Sequence, residues 1–272
     1  MPRRGDRDAV EVEALHDGRD LFVGGVLERV DASTWALPPV TLGRADVRRV
    51  REATGAVAGA FGVRGPVHVR FALVAGVPRV VETVVGVGRG VPFVCAVTGV
   101  PLVRAAARVA LGAGIASLRA EGVLLCDGDG VPVAPVAVRV AGGGGGVGVG
   151  ASFGEAFARA RAVCDPLPTG GRVFVAVADR DRRAVVFPVK ALADLGFEVV
   201  APAPTAELLR RGGVPAAVGG PDGADLVVDT RDGARAGVTT VRGLAAAVLG
   251  IEAVVRGGLA VTAARSVRRP TR

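Results

Sequence analysis

The side chains of this sequence that could do chemistry fall into two groups. In the first, Arg70 and Glu82 lie in two short apolar runs, residues 66–73 and 78–84, joined through Ala75-Gly76. That arrangement reads as a hairpin, and it sets the guanidinium against the carboxylate as a cross-strand ion pair. Val84, two residues beyond Glu82, offers no lone pair, and Arg89 follows in a Gly-Val-Gly-Arg-Gly run. In the second group, Arg182, Thr205 and Arg231 each follow an apolar, strand-like run. Arginine can grip a phosphate bidentately. Asp229 and Asp232 place negative charge in the same region, and Arg182, Arg231 and Arg235 oppose it. The balance stays open.

Other constellations are set aside. His68 sits in a strand-like run without a ligand partner at metal-binding spacing, and reads as a packed or rim histidine. Cys95, Cys126 and Cys164 are too far apart for a Cys-x-x-Cys knuckle, so thiols in a reducing compartment are expected. The run GGGGGVGVG at 142–150 lacks the strand-to-helix context of a dinucleotide fingerprint and reads as linker plus strand. The net charge of +8 suggests nucleic acid, but aromatics make up 4% and the arginines are scattered; nucleic-acid binding is not expected. The chain has a single lysine, Lys190, and no Tyr, Asn or Gln, the signature of a G- and C-rich genome rather than of a basic partner. No apolar stretch reads as a signal peptide or a membrane span, so a cytoplasmic protein is expected.

The elements that must position these groups follow from periodicity. Residues 20–30 read as a strand, 45–61 as a helix with Val47, Val50, Val57, Ala58 and Phe61 on one side, and the hairpin completes a small antiparallel sheet. A helix over 101–111 begins on Pro101. Ser152 with Glu155 forms a capping box opening a helix through 163, and 166–171 marks a boundary. Beyond it, strands at 172–178, 197–201 and 224–229 alternate with helices at 183–195, 205–212, 241–249 and 257–264. Alternation of this kind implies an α/β domain with a mainly parallel sheet. Its ligands bind at the carboxyl ends of strands, here 179–182, 202–205 and 229–232.

The run GVPFVCAVTGVPLVRAAARVALG at 90–112 and VGVGASFGEAFARA at 147–160 resemble segments near the C-terminal end of the carbamoyl phosphate synthetase large subunit. Where that family has Glu-Val-Asn-Pro-Arg-Ala-Xaa-Arg-Thr-Val-Pro-Phe, this chain has Glu82-Thr-Val-Val-Gly-Val-Gly-Arg-Gly-Val-Pro-Phe93. The resemblance runs from about residue 17 to 264 and covers about the last quarter of the family's subunit. It implies an α+β ATP-grasp C-terminal lobe at 1–127 and a glycine-rich junction with a connecting helix at 128–167. A mainly parallel, doubly wound domain like methylglyoxal synthase, with a regulatory role, is implied at 168–272.

The implied cofactors are ATP and Mg2+. The family's metal-holding Gln, Glu and Asn fall on Arg70, Glu82 and Val84, so Glu82 is the surviving metal ligand. Hard cations need oxygen donors, and a guanidinium about 4 Å from a divalent ion costs roughly 8 kcal/mol before screening at a dielectric near 20. Arg89 falls on a family arginine near the phosphates, the catalytic candidate, with a plain surface charge as the alternative. In the second domain, the family's phosphate-binding lysine falls on Arg182. Thr205 keeps the last hydroxyl of a Thr-His-Gly-Thr turn, and Arg231 lies in the segment matching Asn-Thr-Thr-Ser-Gly-Arg-Arg, so these three form the implied allosteric phosphate site. The implied ligand there is a nucleotide monophosphate, and the implied partners are the rest of the large subunit and the glutaminase small subunit. The resemblance implies ATP-dependent carbamate phosphorylation, serving arginine and pyrimidine synthesis, only when the rest of the subunit completes this segment. The alternative is a non-catalytic binding or interaction module derived from such a subunit.

Overall fold

The computed structural model describes residues 9–125, 135–141, 145–231 and 237–257, and the chain divides into two compact units between Arg139 and Val140. The first unit is built on strands β1 (Ala9–Asp17), β2 (Leu21–Arg29), β3 (Thr34–Leu37), β4 (Arg64–Val74), β5 (Val77–Val85) and β6 (Val136–Val140). They run in the order β5-β4-β1-β2-β3-β6. β4 and β5 are the expected hairpin, turning through Ala75 and Gly76, both at positive φ.

β1 lies between β4 and β2, although the strand expectation began only at residue 20. Its sequence AVEVEALHD alternates, and Val10, Val12 and Ala14 pack with Val47, Val50 and Ala58 of helix α1 (Arg44–Ala60) on one face of the sheet. The opposite face is covered by α2 (Val91–Thr98), α3 (Leu102–Ala110) and α4 (Ile115–Ala120), around Leu15, Phe22, Leu27, Phe93 and Leu102. The α3 helix agrees with the expectation; α2 and α4 are additions to it. Asp17 ties β1 to α4, accepting from the Ile115 amide at 2.7 Å and from those of Arg19 and Asp20 at 2.9 and 2.7 Å. Burial raises the Asp17 pKa, but these backbone donors outweigh it and the net shift is downward.

The second unit contains β7 (Gly146–Gly150), α5 (Phe153–Cys164), β8 (Arg172–Ala176), α6 (Arg182–Asp194), β9 (Glu198–Ala201), α7 (Ala203–Arg211), β10 (Ala217–Val218), β11 (Leu226–Asp229) and α8 (Val241–Gly257). Strands β8 to β11 form a parallel sheet in the order β10-β9-β8-β11. Its core gathers Val173, Val185, Leu192, Leu209, Leu244 and Ile251. At the start of α5, the Ser152 hydroxyl accepts from the Glu155 amide at 3.3 Å, while Glu155 reaches back to the Ala151 amide at 3.2 Å, one residue earlier than a capping box requires.

The glycines of β7 are a contact surface. Gly146, Gly148 and Gly150 are buried while Val147 and Val149 face outward, and a Cβ on any of the three would overlap backbone atoms of Ala156 or Ala160 in α5. The sequence pattern predicts two helices, at 241–249 and 257–264. Instead α8 continues through Gly250, which packs under Phe157 and Leu167, and 258–264 lie outside the described residues. Cys95 and Cys164 are half-buried free thiols, and Cys126 lies outside the described residues.

Candidate functional site

Strand register collects the first unit's charged groups on the sheet face covered by α2, α3 and α4. β1 and β4 place Glu11 opposite Arg70 and Glu13 opposite His68. β4 and β5 place Arg70 opposite Glu82 and His68 opposite Val84. Side chains two apart share a face, so three carboxylates, one guanidinium and one imidazole form a strip across three strands.

At the buried end, Glu13 is 1% exposed and its Oε1 accepts from His68 Nδ1 at 3.1 Å and from the Gly90 amide at 2.9 Å. Gly90 is the N-cap of α2, so the carboxylate also meets the positive end of that helix. The loop can pass this close because it lacks side chains where it crosses Glu13. A Cβ at Gly88 would overlap both carboxylate oxygens, and one at Gly90 would lie 2.7 Å from Oε1. The hydrogen bond with Glu13 raises the His68 pKa; burial opposes it, and the charges of Glu13, Glu11 and Glu82 push the same way. His68 is therefore an imidazolium over a wider pH range than a free histidine.

At the open end, Arg70 Nη2 meets Glu82 Oε2 at 3.3 Å, with the two side chains 29% and 50% exposed. The expected pair is present, but it is partly solvated, and Arg70 Nε is buried without a hydrogen-bond partner among the described residues. Val84 is 40% exposed. Arg89 lies between Gly88 and Gly90, and its carbonyl accepts from Arg139 Nη1 at 3.4 Å. The Arg139 guanidinium also stands 5.4 Å from the Trp35 ring centroid.

These residues do not fit Mg2+. Glu82 faces a guanidinium, Val84 has no donor atom, and among the described residues no group of three His, Cys, Asp or Glu side chains could hold a metal ion. Glu13 and His68, which sequence reasoning left out or set aside, form the strip's most buried ion pair. The alternation of 9–17 could have revealed the strand that carries Glu13. The 55-residue separation from His68 gave no local signal of their contact.

In the second unit, the segments holding Arg182, Thr205 and Arg231 all follow the carboxyl ends of parallel strands, β8, β9 and β11. Each is held locally. Arg182 pairs with Asp179 at 2.8 Å. Thr205 is buried in the first turn of α7. Arg231 donates to both oxygens of Asp229 at 2.9 and 2.6 Å, which lowers the Asp229 pKa and raises that of Arg231. Asp232 and Arg235 lie outside the described residues. An unanticipated clasp joins the ends of β8 and β11: Arg180 Nη2 donates to the Thr230 carbonyl at 3.0 Å, and the Thr230 hydroxyl accepts from the Ala178 amide at 3.1 Å.

Residues 18–118, the part of the chain carrying most of this strip, match the family model described as "Carbamoyl-phosphate synthase L chain, ATP binding domain". The chain is homologous to carbamoyl phosphate synthase large chains over nearly its whole length. It is 40% identical to that of Mycobacterium bovis, the match covering 96% of this chain and 30% of the relative. With the large chain of Beutenbergia cavernae it is also 40% identical, over 93% of this chain and 29% of the relative. The chain thus spans about 30% of the length of the curated relatives it matches. The Mycobacterium bovis alignment runs over 337 positions, more than this chain's 272 residues, so the relative carries internal segments with no counterpart here. Among solved structures, the chain resembles a biotin carboxylase domain of a single-chain bacterial carboxylase, at 20% identity and a TM-score of 0.42, over 50% of this chain and 33% of that one. It also resembles Rhizobium etli pyruvate carboxylase, at 18% identity and a TM-score of 0.44, over 51% of this chain and 13% of that one.

Proposed function

We propose that this chain is a segment of a carbamoyl-phosphate-synthetase-like large subunit that has no turnover of its own. It contributes to ATP-dependent phosphorylation of carbamate, and so to arginine and pyrimidine synthesis, only when the remaining portion of such a subunit, with its glutaminase partner, completes it. The observation that carries this reading is Arg70 against Glu82. By the family resemblance Arg70 and Glu82 fall on metal-holding positions, and in this chain they are paired with each other. Within a completed subunit, Arg89 is the residue placed to meet phosphate. The second unit is proposed as a methylglyoxal-synthase-like ligand domain, with a phosphorylated metabolite such as a nucleotide monophosphate bound through Arg182, Thr205 and Arg231. The alternative is a non-catalytic ligand-binding or interaction module derived from the same subunit.

The test is an assay of ATP hydrolysis and carbamoyl phosphate formation by the full chain with Mg2+. No turnover above a Glu82→Ala control is expected, and magnesium-dependent turnover clearly above that control overturns the reading. Adding the remaining portion of a mycobacterial large chain separates the two alternatives: restored synthesis supports the completed enzyme, and continued silence supports the binding module.

A further inference from the structure

We propose that β5 is the contact strand of a homodimer: it pairs antiparallel with the β5 of a second copy of this chain, across a two-fold axis at Val80. This goes beyond the functional reading above and does not rest on it.

β5 is an end strand of its sheet, so among the described residues one edge of its backbone has no strand beside it. Such an edge is a template for another strand unless it is short or otherwise blunted. The second unit's parallel sheet ends on the two-residue β10. β5 has nine residues, and its valines at 77, 80, 81, 84 and 85 are each at least 40% exposed. Val77, Arg79, Glu82 and Val84 stand opposite Val74, Ala72, Arg70 and His68, alternate residues of β4, so these four share one face. The bulge makes this possible: Val81 is the extra residue, and without it Arg79 and Glu82, three apart, would lie on opposite faces. Residues directly opposite in an antiparallel pair share a face, so a symmetric pairing of β5 with itself has few registers. Centred on Val80, it sets Arg79 against Glu82 of the second copy and Val77 against its Val84, each contact occurring twice. Moved one step to centre on Arg79 or on Glu82, it sets like charges against each other, and centres farther out shorten the overlap. Opposite charges directly across a strand pair stabilise it and like charges destabilise it, so the Val80 register is the one selected. Arg79 is exposed and Glu82 is half exposed beside Arg70, which leaves both within reach of a second copy.

The test is sedimentation equilibrium of the full chain over a range of concentrations, where wild type is expected to show a monomer–dimer equilibrium. Arg79→Glu and, separately, Glu82→Lys set like charges against each other in both pairs and should weaken the dimer about tenfold. An equimolar mixture of the two variants restores opposite charges in both pairs and should associate as wild type does. Val80→Cys brings two thiols together at the two-fold axis and should give a covalent dimer on oxidation, whereas wild type, with its three native cysteines, should not. Should Glu82→Lys fail to fold, because it sets a second cation beside Arg70, Val80→Cys decides alone. A wild-type chain that stays monomeric at about 1 mM, a dimer that Arg79→Glu leaves unchanged, or no covalent dimer in Val80→Cys overturns the proposal. If wild type is monomeric and Arg79→Glu instead weakens its binding to the remaining portion of a mycobacterial large chain, β5 faces the rest of such a subunit and the proposal fails. The readout is association rather than turnover, so a failure here is distinguishable from a failure of the functional reading.

Discussion

The carboxylate strip of the first unit and the carboxyl edge of the parallel sheet in the second handle charge in opposite ways. At the buried end of the strip, partners come from distant parts of the chain. Glu13 meets His68 55 residues away and the Gly90 amide 77 residues away, and it is almost wholly buried. At the parallel edge, Arg231 pairs with Asp229 two residues earlier and Arg182 with Asp179 three residues earlier, with Arg182 52% and Arg231 54% exposed. Buried long-range pairs depend on the fold and leave an uncompensated charge when broken. Exposed local pairs contribute little and break without consequence. The first kind is a structural commitment, whereas the second leaves the arginines available to a competing anion.

The comparison breaks most visibly at Glu13. Glu13→Ala removes the partner of His68 and of the Gly90 amide together, and should lower unfolding stability by about 3 kcal/mol, read from the urea midpoint. A change within the range of a surface substitution would mean that water replaces the carboxylate and that the two regions differ less than their burial indicates. Gly148→Ala should cost about 1–3 kcal/mol by pushing α5 off β7; an unchanged midpoint would show that α5 can shift without loss.

The pH dependence sharpens the contrast. The folded pKa of His68 is raised, so its contribution is complete below the unfolded value of about 6.5. It is lost as pH rises through the higher folded value. Wild-type stability should therefore fall across that window, and a His68→Gln variant should show a flatter profile there. An identical slope in the variant would assign the dependence to other groups. Asp229 runs in the other direction. Its pKa is lowered, so its contribution is present above an unfolded value of about 3.9 and is lost as pH falls through the folded value. The smallest effect belongs to its partner: Arg231→Ala should change stability by no more than about 0.5 kcal/mol. Calorimetry with nucleotide monophosphates on the full chain then asks whether that arginine does more for a ligand than for the fold. If a monophosphate binds with millimolar affinity and Arg231→Ala leaves it unchanged, Arg231 is excluded from the proposed ligand site.

Legibility in the sequence followed contact range. The β4–β5 hairpin, the α1 and α3 helices and the parallel alternation of β8, β9 and β11 were readable because each depends on local periodicity or on a turn. The hairpin made the Arg70–Glu82 pairing an expectation, but the two-residue turn alone would set Arg70 opposite Val81, and it is a bulge between Arg70 and Phe71 that brings Glu82 opposite it. β1 was missed because its polar face carries acids that turn out to be buried, and burial of an acid is decided by a partner far along the chain. His68 was set aside for the same reason. The expected break near Gly250 failed because packing under Phe157 and Leu167 outweighs glycine's poor helix propensity.

The seam between β7 and α5 has a consequence for how such a chain tolerates mutational drift. Its facing residues are glycine and alanine, meeting backbone to backbone, and both are written in codons that a G- and C-rich genome favours. The protein contains no Asn and no Gln, the two amide side chains that the family resemblance places beside Glu82. Nucleotide bias of that kind erodes amide-bearing ligand positions while leaving a glycine–alanine joint untouched. The seam is thus a joint that such a bias preserves.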